Sequence, residues 1–180
     1  MTGRRARAGC PDGRARHERV KMRWVVGKAA LFLTAALTLL VLAEAANITI
    51  VGIWSWTVGP GDLQGGPGSE LNTTYESPAN QVTMSVRGSG NIGWRVEVLR
   101  IDSNWHANFL LDIRRTGSGR GPGTVSGGTT YLTITTMSQS FVTGSGNRWG
   151  IPLQERLSGV SVSIPPATYT TTIQYTVVDQ

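Results

Sequence analysis

The sequence contains very little cysteine, lysine or histidine. Cys10 is its single cysteine, both lysines precede residue 29, and His106 is the one histidine after residue 45. This scarcity excludes thiol catalysis and multi-histidine metal sites from residues 46–180. It also means that this part of the chain is stabilised by packing and sheet hydrogen bonds, without disulfides.

Residues 46–180 also lack an excess of either charge. The whole chain has 17 lysines and arginines and 11 acidic residues, of which nine and three precede residue 46. The remainder is eight arginines and eight acidic side chains, a net charge of zero. The isoelectric point of 10.2 therefore reflects the first 45 residues, and we predict no nucleic-acid partner. A net charge near zero favours self-association.

Residues 1–45 are typical of a targeting leader. Basic side chains at 22–28 precede an uncharged run at 29–42, and "AEA" at 43–45 has the small-residue spacing of a cleavage site. The run of 14 residues is shorter than the roughly 17 to 25 that a membrane-spanning helix needs. We predict a cleaved signal peptide, with its core at 22–45, and no membrane association after cleavage. The expected location is secreted: extracellular, at the cell surface or periplasmic.

Polar and apolar residues alternate through the rest of the chain. The clearest runs are "QVTMSVRG", "WRVEVLRID", "NFLLDIRR" and "TYTTTIQYTVV", and segments rich in Gly, Ser, Asn and Pro connect them. Period-two runs between turn residues, with no helical period, predict an all-β domain. We expect a single antiparallel β-sandwich, immunoglobulin-like and of about seven strands, at residues 46–180. It would begin with a strand at 46–58, followed by a flexible stretch at 59–80.

Two local predictions concern the ends of strands. The runs at 94–102 and 108–115 look like a β-hairpin around "SNWHA", in which Glu97 and Asp112 would face each other. Arginines beside both carboxylates favour cross-strand ion pairs over a glycosidase-type carboxylate pair. Further along, the apolar register of "IPLQERLSGVSVSI" shifts at Gly159, which predicts a β-bulge there.

No residue pattern indicates catalysis. The Gly-rich stretch at 117–123 lacks the Lys and the Ser or Thr that follow a phosphate-binding loop. We therefore predict no catalytic, cofactor-binding or metal-binding residues, and a protein that is not an enzyme.

Aromatic residues in loops are the candidates for ligand contact. Trp105 and His106 lie in the predicted hairpin loop, and Trp149 is a further candidate. A loop histidine ordinarily contacts solvent, but aromatic rings dominate contact surfaces and can stack on sugar faces. A carbohydrate-binding module with glycan partners is therefore one alternative for this protein.

The segment "ANITIVGIWSWTV" opens the predicted domain and is strongly apolar. One of its faces presents Ile48, Ile50, Gly52, Trp54 and Trp56. A strand of this kind is buried on at least one side, and the stretch after it would act as a tether. The strand can complete the sheet of its own domain or be added to the sheet of a neighbour. The sequence leaves both possibilities open.

The predicted signal peptide, this strand with its central Gly52 and the terminal "IPPATYTTTIQYTVV" resemble exported pilin-type β-sandwich subunits, including the spore coat protein U-like group. The resemblance covers the two end strands. It implies fibres or coats in which each subunit donates its N-terminal strand to the next. The implied function is that of a secreted, structural or self-assembling protein of the cell surface or an extracellular fibre, with copies of itself or related subunits as partners. A solitary exported domain is the remaining alternative.

Overall fold

The computed structural model describes residues 46–87 and 92–180, so the predicted signal peptide lies outside the described residues. These residues form ten strands and a 3-10 helix at Pro60–Asp62. No helix in these two ranges is long and apolar enough to cross a membrane. The strands are β1 (Asn47–Val51), β2 (Thr74–Glu76), β3 (Val82–Arg87), β4 (Gly93–Asn104), β5 (Leu110–Arg115), β6 (Thr124–Gly127), β7 (Leu132–Thr133), β8 (Gln139–Ser145), β9 (Arg148–Ser158) and β10 (Thr170–Asp179).

The all-β prediction is confirmed, with more strands than expected. The ten strands of the described residues form two antiparallel sheets, where the sequence predicted about seven strands. The two sheets share one core, which is the arrangement of a β-sandwich. β2, β6 and β7 are only two to four residues long, too short to show alternation in the sequence.

The order of the strands places β1 and β10 at sheet edges. One sheet runs β1-β3-β9-β5-β7, and β2 pairs with the end of β9 beyond β3. The other sheet runs β10-β4-β8-β6. The two edge strands are neighbours at one end. There the backbone N–H of Ala46, next to β1, donates to a carboxylate oxygen of Asp179 in β10 at 3.3 Å.

Alternating side chains from both sheets form the main core. The alternation expected for "QVTMSVRG" and "WRVEVLRID" is confirmed, since every second residue of β3 and of the first half of β4 is buried. Trp94 is fully buried, and its indole Nε1 donates to the Gly146 carbonyl at 2.8 Å, which satisfies its polar atom. The buried members of this core are Val82, Met84, Val86, Trp94, Val96, Val98, Ile113, Ile134, Phe141, Val142, Ile151 and Leu153.

The opening strand pairs within its own domain. β1 is antiparallel to β3, with Ile48 opposite Val86 and Ile50 opposite Met84. Ile48 and Ile50 are half-buried and pack against the main core. In this structure the strand therefore takes the first of the two arrangements that the sequence left open.

The opening strand is also shorter than predicted. It ends at Val51, and residues 53–58 follow without regular secondary structure. The prediction of a strand over residues 46–58 is therefore wrong for its second half. Gly52 marks the change: its φ is +112°, and a Cβ there would come within 2.3 Å of the Gln81 carbonyl oxygen. Only glycine fits such a positive φ together with such a close backbone approach.

The stretch at 59–80 contains several short elements. The 3-10 helix Pro60–Asp62 is followed by a bridge between Leu63 and Leu71, and β2 lies near the end of the stretch. The central side chain of β2, Tyr75, is buried. The pairing of β2 with β9 attaches this stretch to the end of β9.

The predicted hairpin between β4 and β5 is wrong. β4 pairs with β10 and β8, β5 pairs with β9 and β7, and residues 105–109 cross from one sheet to the other. Glu97 and Asp112 consequently lie on different sheets and do not face each other. Each is paired with an arginine instead, Glu97 with Arg95 and Asp112 with Arg156, both at 2.8 Å.

The β-bulge predicted at Gly159 is wrong as well, because β9 ends at Ser158. Gly159 has a φ of +81°, and the chain leaves the sheet there. Val160 then joins a second, smaller cluster of buried residues with Tyr75 and Phe109. The shift of apolar register in the sequence marks the end of a strand, with the side chains after it packing in a different cluster.

Candidate functional site

A large cleft lies between β9 of one sheet and β10 of the other. Its volume is about 1030 Å³, and most of its lining side chains are apolar, among them Leu157, Phe109 and Ile173. Two segments without strands, residues 52–58 and much of 160–169, also line it. Clefts of this size and character are typical of small-molecule sites in proteins.

Of the residues that the structure describes, Glu155 is the one charged residue that lines the cleft. It lies on the inner face of β9, on the same side of the strand as Leu153 and Leu157, and only 7% of it is exposed. Its Oε2 is buried and accepts no hydrogen bond. Burial raises the pKa of this carboxyl to about 7, because desolvation disfavours the charged form. At neutral pH the group is therefore present both protonated and ionised.

Ser77 fixes the backbone of β9 at Glu155. The Ser77 N–H donates to the Glu155 carbonyl and the Glu155 N–H donates to the Ser77 hydroxyl, both at 2.9 Å. The Gln154 side chain donates to the Ser77 carbonyl at 2.8 Å. Ser77 and Gln154 are both buried, so the position of Glu155 on the strand is tightly defined.

Tyr175 carries the second buried polar atom of the cleft that has no hydrogen-bond partner among the described residues. It lies on β10, opposite Val98 of β4, and its side chain faces the space between the sheets. Its hydroxyl oxygen is buried and makes no hydrogen bond. Burial raises the pKa of Tyr175 above its usual range, and the nearby Glu155 carboxyl raises it further. The facing sheets thus bring two unpaired polar groups to one apolar cleft.

An aromatic cluster forms one wall of the cleft. The rings of Phe109 and Tyr169 meet edge-to-face at 5.0 Å, and Trp105 meets Phe109 in the same way at 5.4 Å. The Trp105 Nε1 donates to the Phe109 carbonyl at 3.2 Å, and the Arg100 guanidinium lies 5.0 Å from the Trp105 ring. His106 packs 5.5 Å from Phe109. The structure therefore brings the predicted contact residues Trp105 and His106 together in this half-buried cluster, of which Trp105 lines the cleft and His106 does not.

Trp149 lies apart from that cluster. It is 38% exposed near the start of β9, where it pairs with Arg120, whereas Leu157 of the aromatic end is eight residues further along the strand. At about 3.3 Å per residue this separation is roughly 26 Å. Trp105 and Trp149 consequently do not form one platform.

The residues expected to act in strand donation are divided between two environments. Ile48 and Ile50 belong to β1, and Gly52 follows the last residue of that strand. Trp54 packs against the smaller cluster and lines the cleft. Trp56 is 52% exposed and stacks against Tyr75 at 5.4 Å. In this arrangement they are not one face of a single strand.

A polar network covers the outer face of the first sheet. Asp112 is buried there and accepts hydrogen bonds from Arg156 at 2.9 Å and from Thr133 at 2.6 Å. The guanidiniums of Arg156 and Arg114 lie 3.9 and 4.5 Å from the Tyr131 ring. Within the ranges that the structure describes, no three His, Cys, Asp or Glu side chains are arranged to hold a metal ion. The network links β5, β7 and β9 and lies away from the cleft.

Sequence reasoning missed Glu155 and Tyr175 as site residues. A signal for Glu155 exists, because it occupies the inward position between Leu153 and Leu157 in an alternating strand. A carboxylate at a core position is unusual and points to a specific environment. Tyr175 carries no such signal, since a tyrosine in an alternating run fits an ordinary core strand.

Comparisons with known proteins reveal no relative of this chain. No protein-family model, curated protein or solved structure matches it. The resemblance to pilin-type subunits therefore stays a prediction from the two end strands.

Proposed function

We propose that this protein is a secreted, non-enzymatic structural protein, with an immunoglobulin-like sandwich, that self-assembles at the cell surface or in an extracellular fibre. The observation that carries the proposal is the open edge of β10. This strand is ten residues long, and among the described residues it pairs only with β4. A long edge strand with unpaired backbone groups is a template for pairing with another chain.

The composition of β10 supports this role. Proteins that stay monomeric protect such edges with lysine, proline, bulges or short strands. β10 has one register irregularity, at its start, and contains neither lysine nor proline. Its single charged residue is Asp179, at the other end, and its exposed face presents Thr170, Thr172, Gln174 and Thr176. The zero net charge of residues 46–180 also leaves little repulsion between copies.

The position of β1 supports assembly on the same side of the molecule. Within residues 46–87 and 92–180, β1 pairs only with β3, and the residue before it, Ala46, is hydrogen-bonded to Asp179 at the end of β10. The two open edges therefore lie side by side. Donation of the N-terminal strand to a neighbour is a second route to assembly, in which β1 would exchange its place beside β3 for the same place in the next subunit.

Light scattering coupled to size-exclusion chromatography tests the proposal on residues 46–180. We expect oligomers that grow with concentration, and expect Thr172→Lys with Thr176→Lys to shift them to monomer by placing charges on the open edge. Ser140→Lys is the matched control, because Ser140 is exposed on β8, a central strand of the same sheet. A wild-type protein that is monomeric at all concentrations would show a solitary domain and refute self-assembly.

A chain that starts at Gly59 separates the two routes. If it is monomeric while the lysine variants still assemble, the N-terminal strand is donated. If it assembles and the lysine variants do not, β10 pairs edge to edge. A chain without β1 also tests whether that strand is needed for folding, by its unfolding midpoint in urea.

Glycan binding has weaker support. The half-buried Trp105 donates its Nε1–H to the Phe109 carbonyl and packs edge-to-face against the Phe109 ring, so much of it is already engaged within the protein. Trp149 lies near the start of β9, far from Trp105. Retention on polysaccharide that Trp149→Ala abolishes would favour this function over a structural one.

A further inference from the structure

We propose that the cleft between β9 and β10 binds an apolar small molecule that carries a neutral hydroxyl group, held by Glu155 and Tyr175. The cleft reaches the proposed assembly edge at Thr170 and Thr172, but Glu155 and Tyr175, the groups that define the site, lie on the inner faces of the two sheets.

The size and lining of the cleft fit a medium-sized apolar molecule. Its volume of about 1030 Å³ lies at the upper end of ordinary ligand pockets. Aliphatic and aromatic side chains from both sheets line it, including Leu157, Ile173 and Phe109. An interior this apolar favours the burial of hydrocarbon.

The hydrogen-bonding groups determine which polar group the molecule carries. Buried polar atoms in proteins are nearly always paired, yet the Glu155 Oε2 and the Tyr175 hydroxyl oxygen are both buried and unpaired. An alcohol hydroxyl has one donor and two acceptor positions. One hydroxyl therefore carries both the donor that the Glu155 Oε2 lacks and the acceptor that the Tyr175 hydroxyl lacks.

The charge of the cleft favours a neutral molecule. Among the residues described in the structure, Glu155 is its single charged lining residue, and no lysine, arginine or histidine lines it. A ligand carboxylate would add a second negative charge beside Glu155 without a cation to compensate it. An ammonium group would have to lose its water and has no lone pair to accept from the Tyr175 hydroxyl. Burial of Glu155 raises its pKa to about 7, because desolvation disfavours the charged form.

Titration of the purified protein with matched ligands tests this site. The probes are decan-1-ol and cyclododecanol, with decanoate and decylamine as carboxylate and amine analogues, followed by the fluorescence of the lining Trp54 and Trp105 and by calorimetry. We expect saturable binding of at least one alcohol, with one molecule per chain and about tenfold weaker binding of decanoate and decylamine at pH 7. No saturable binding of either alcohol, or equal binding of decanoate, would overturn the proposal.

Variants assign the polar contacts. Tyr175→Phe is expected to weaken alcohol binding about tenfold, since it removes one hydrogen bond and leaves the ring. Tyr131→Phe is the matched control, because the Tyr131 hydroxyl is also buried but does not line the cleft. Glu155→Gln keeps an acceptor and removes the charge, so we expect it to retain alcohol binding and to bind decanoate more tightly than the wild type does. Equal effects of Tyr175→Phe and Tyr131→Phe would refute the assignment, and the wild-type ligand series remains decisive if a variant does not fold.

Discussion

At the scale of single residues, buried polar groups differ in how well the fold satisfies them. The indole of Trp94 and the hydroxyl of Ser77 both have partners within the sandwich. The Glu155 carboxyl has an unpaired oxygen in an apolar cleft, and its pKa responds to that environment. Such a group makes the stability of the fold depend on pH.

Glu155 is expected to destabilise the protein as the pH rises. Between its usual pKa of 4.5 and the folded-state pKa of about 7, the folded protein keeps a proton that the unfolded chain has released. The contribution of Glu155 to the unfolding free energy is therefore largest below pH 4.5, falls by roughly 3 kcal/mol up to pH 7 and is constant above. Urea unfolding of the wild type and Glu155→Gln across pH 4 to 8 measures it. A constant difference between the two proteins across this range would contradict the prediction.

Gly144 is the residue with the least room for a side chain in the main core. It lies opposite Trp94, and a Cβ there would come 2.4 Å from the Trp94 ring and 2.3 Å from the Thr124 carbonyl oxygen. We expect Gly144→Ala to lower the unfolding free energy by about 3 kcal/mol, because a packed ring and a backbone would both have to move. Gly61→Ala is the control, since a Cβ there meets nothing within 4 Å. Thermal unfolding of both variants should separate them, and similar midpoints would show that the core yields easily.

At the scale of the elements, the ion pairs on the two sheets differ in how much of each pair is exposed to water. Asp112 and Arg156 are directly opposite each other on β5 and β9, and the Asp112 side chain is only 5% exposed. Arg95 and Glu97 lie on the same strand, with side chains 34% and 27% exposed. Water therefore screens the second pair far more than the first.

The buried pair is expected to matter most to stability. Arg156→Met keeps a similar volume over Tyr131 but leaves Asp112 without its cation, so the unfolding free energy should fall by about 3 kcal/mol. Arg95→Met should lower it by less than about 1 kcal/mol. Chemical denaturation of both variants gives the comparison. Equal losses would mean that the two pairs are equally solvated in solution.

At the scale of the whole molecule, the sequence predicts where strands lie but not which strands pair. The strands with strong alternation, such as β3 and β10, are evident from the sequence because side-chain alternation is a property of neighbouring residues. The pairing of β4 with β10 is not evident, because five strands lie between them in the chain. The predicted β4-β5 hairpin failed for this reason: adjacency in sequence favours pairing, but the loop at 105–109 changes sheets.

The sequence by itself determined the β class, the inward faces of the main strands and the absence of disulfides from residues 46–180. These features depend on residue type and on short-range periodicity. The tertiary structure alone decided that the opening strand pairs with β3, that β10 has an open edge and that Glu155 and Tyr175 meet the same cleft. Each of these facts depends on which distant segments face each other, and that choice is made by packing the two sheets together rather than by any local preference.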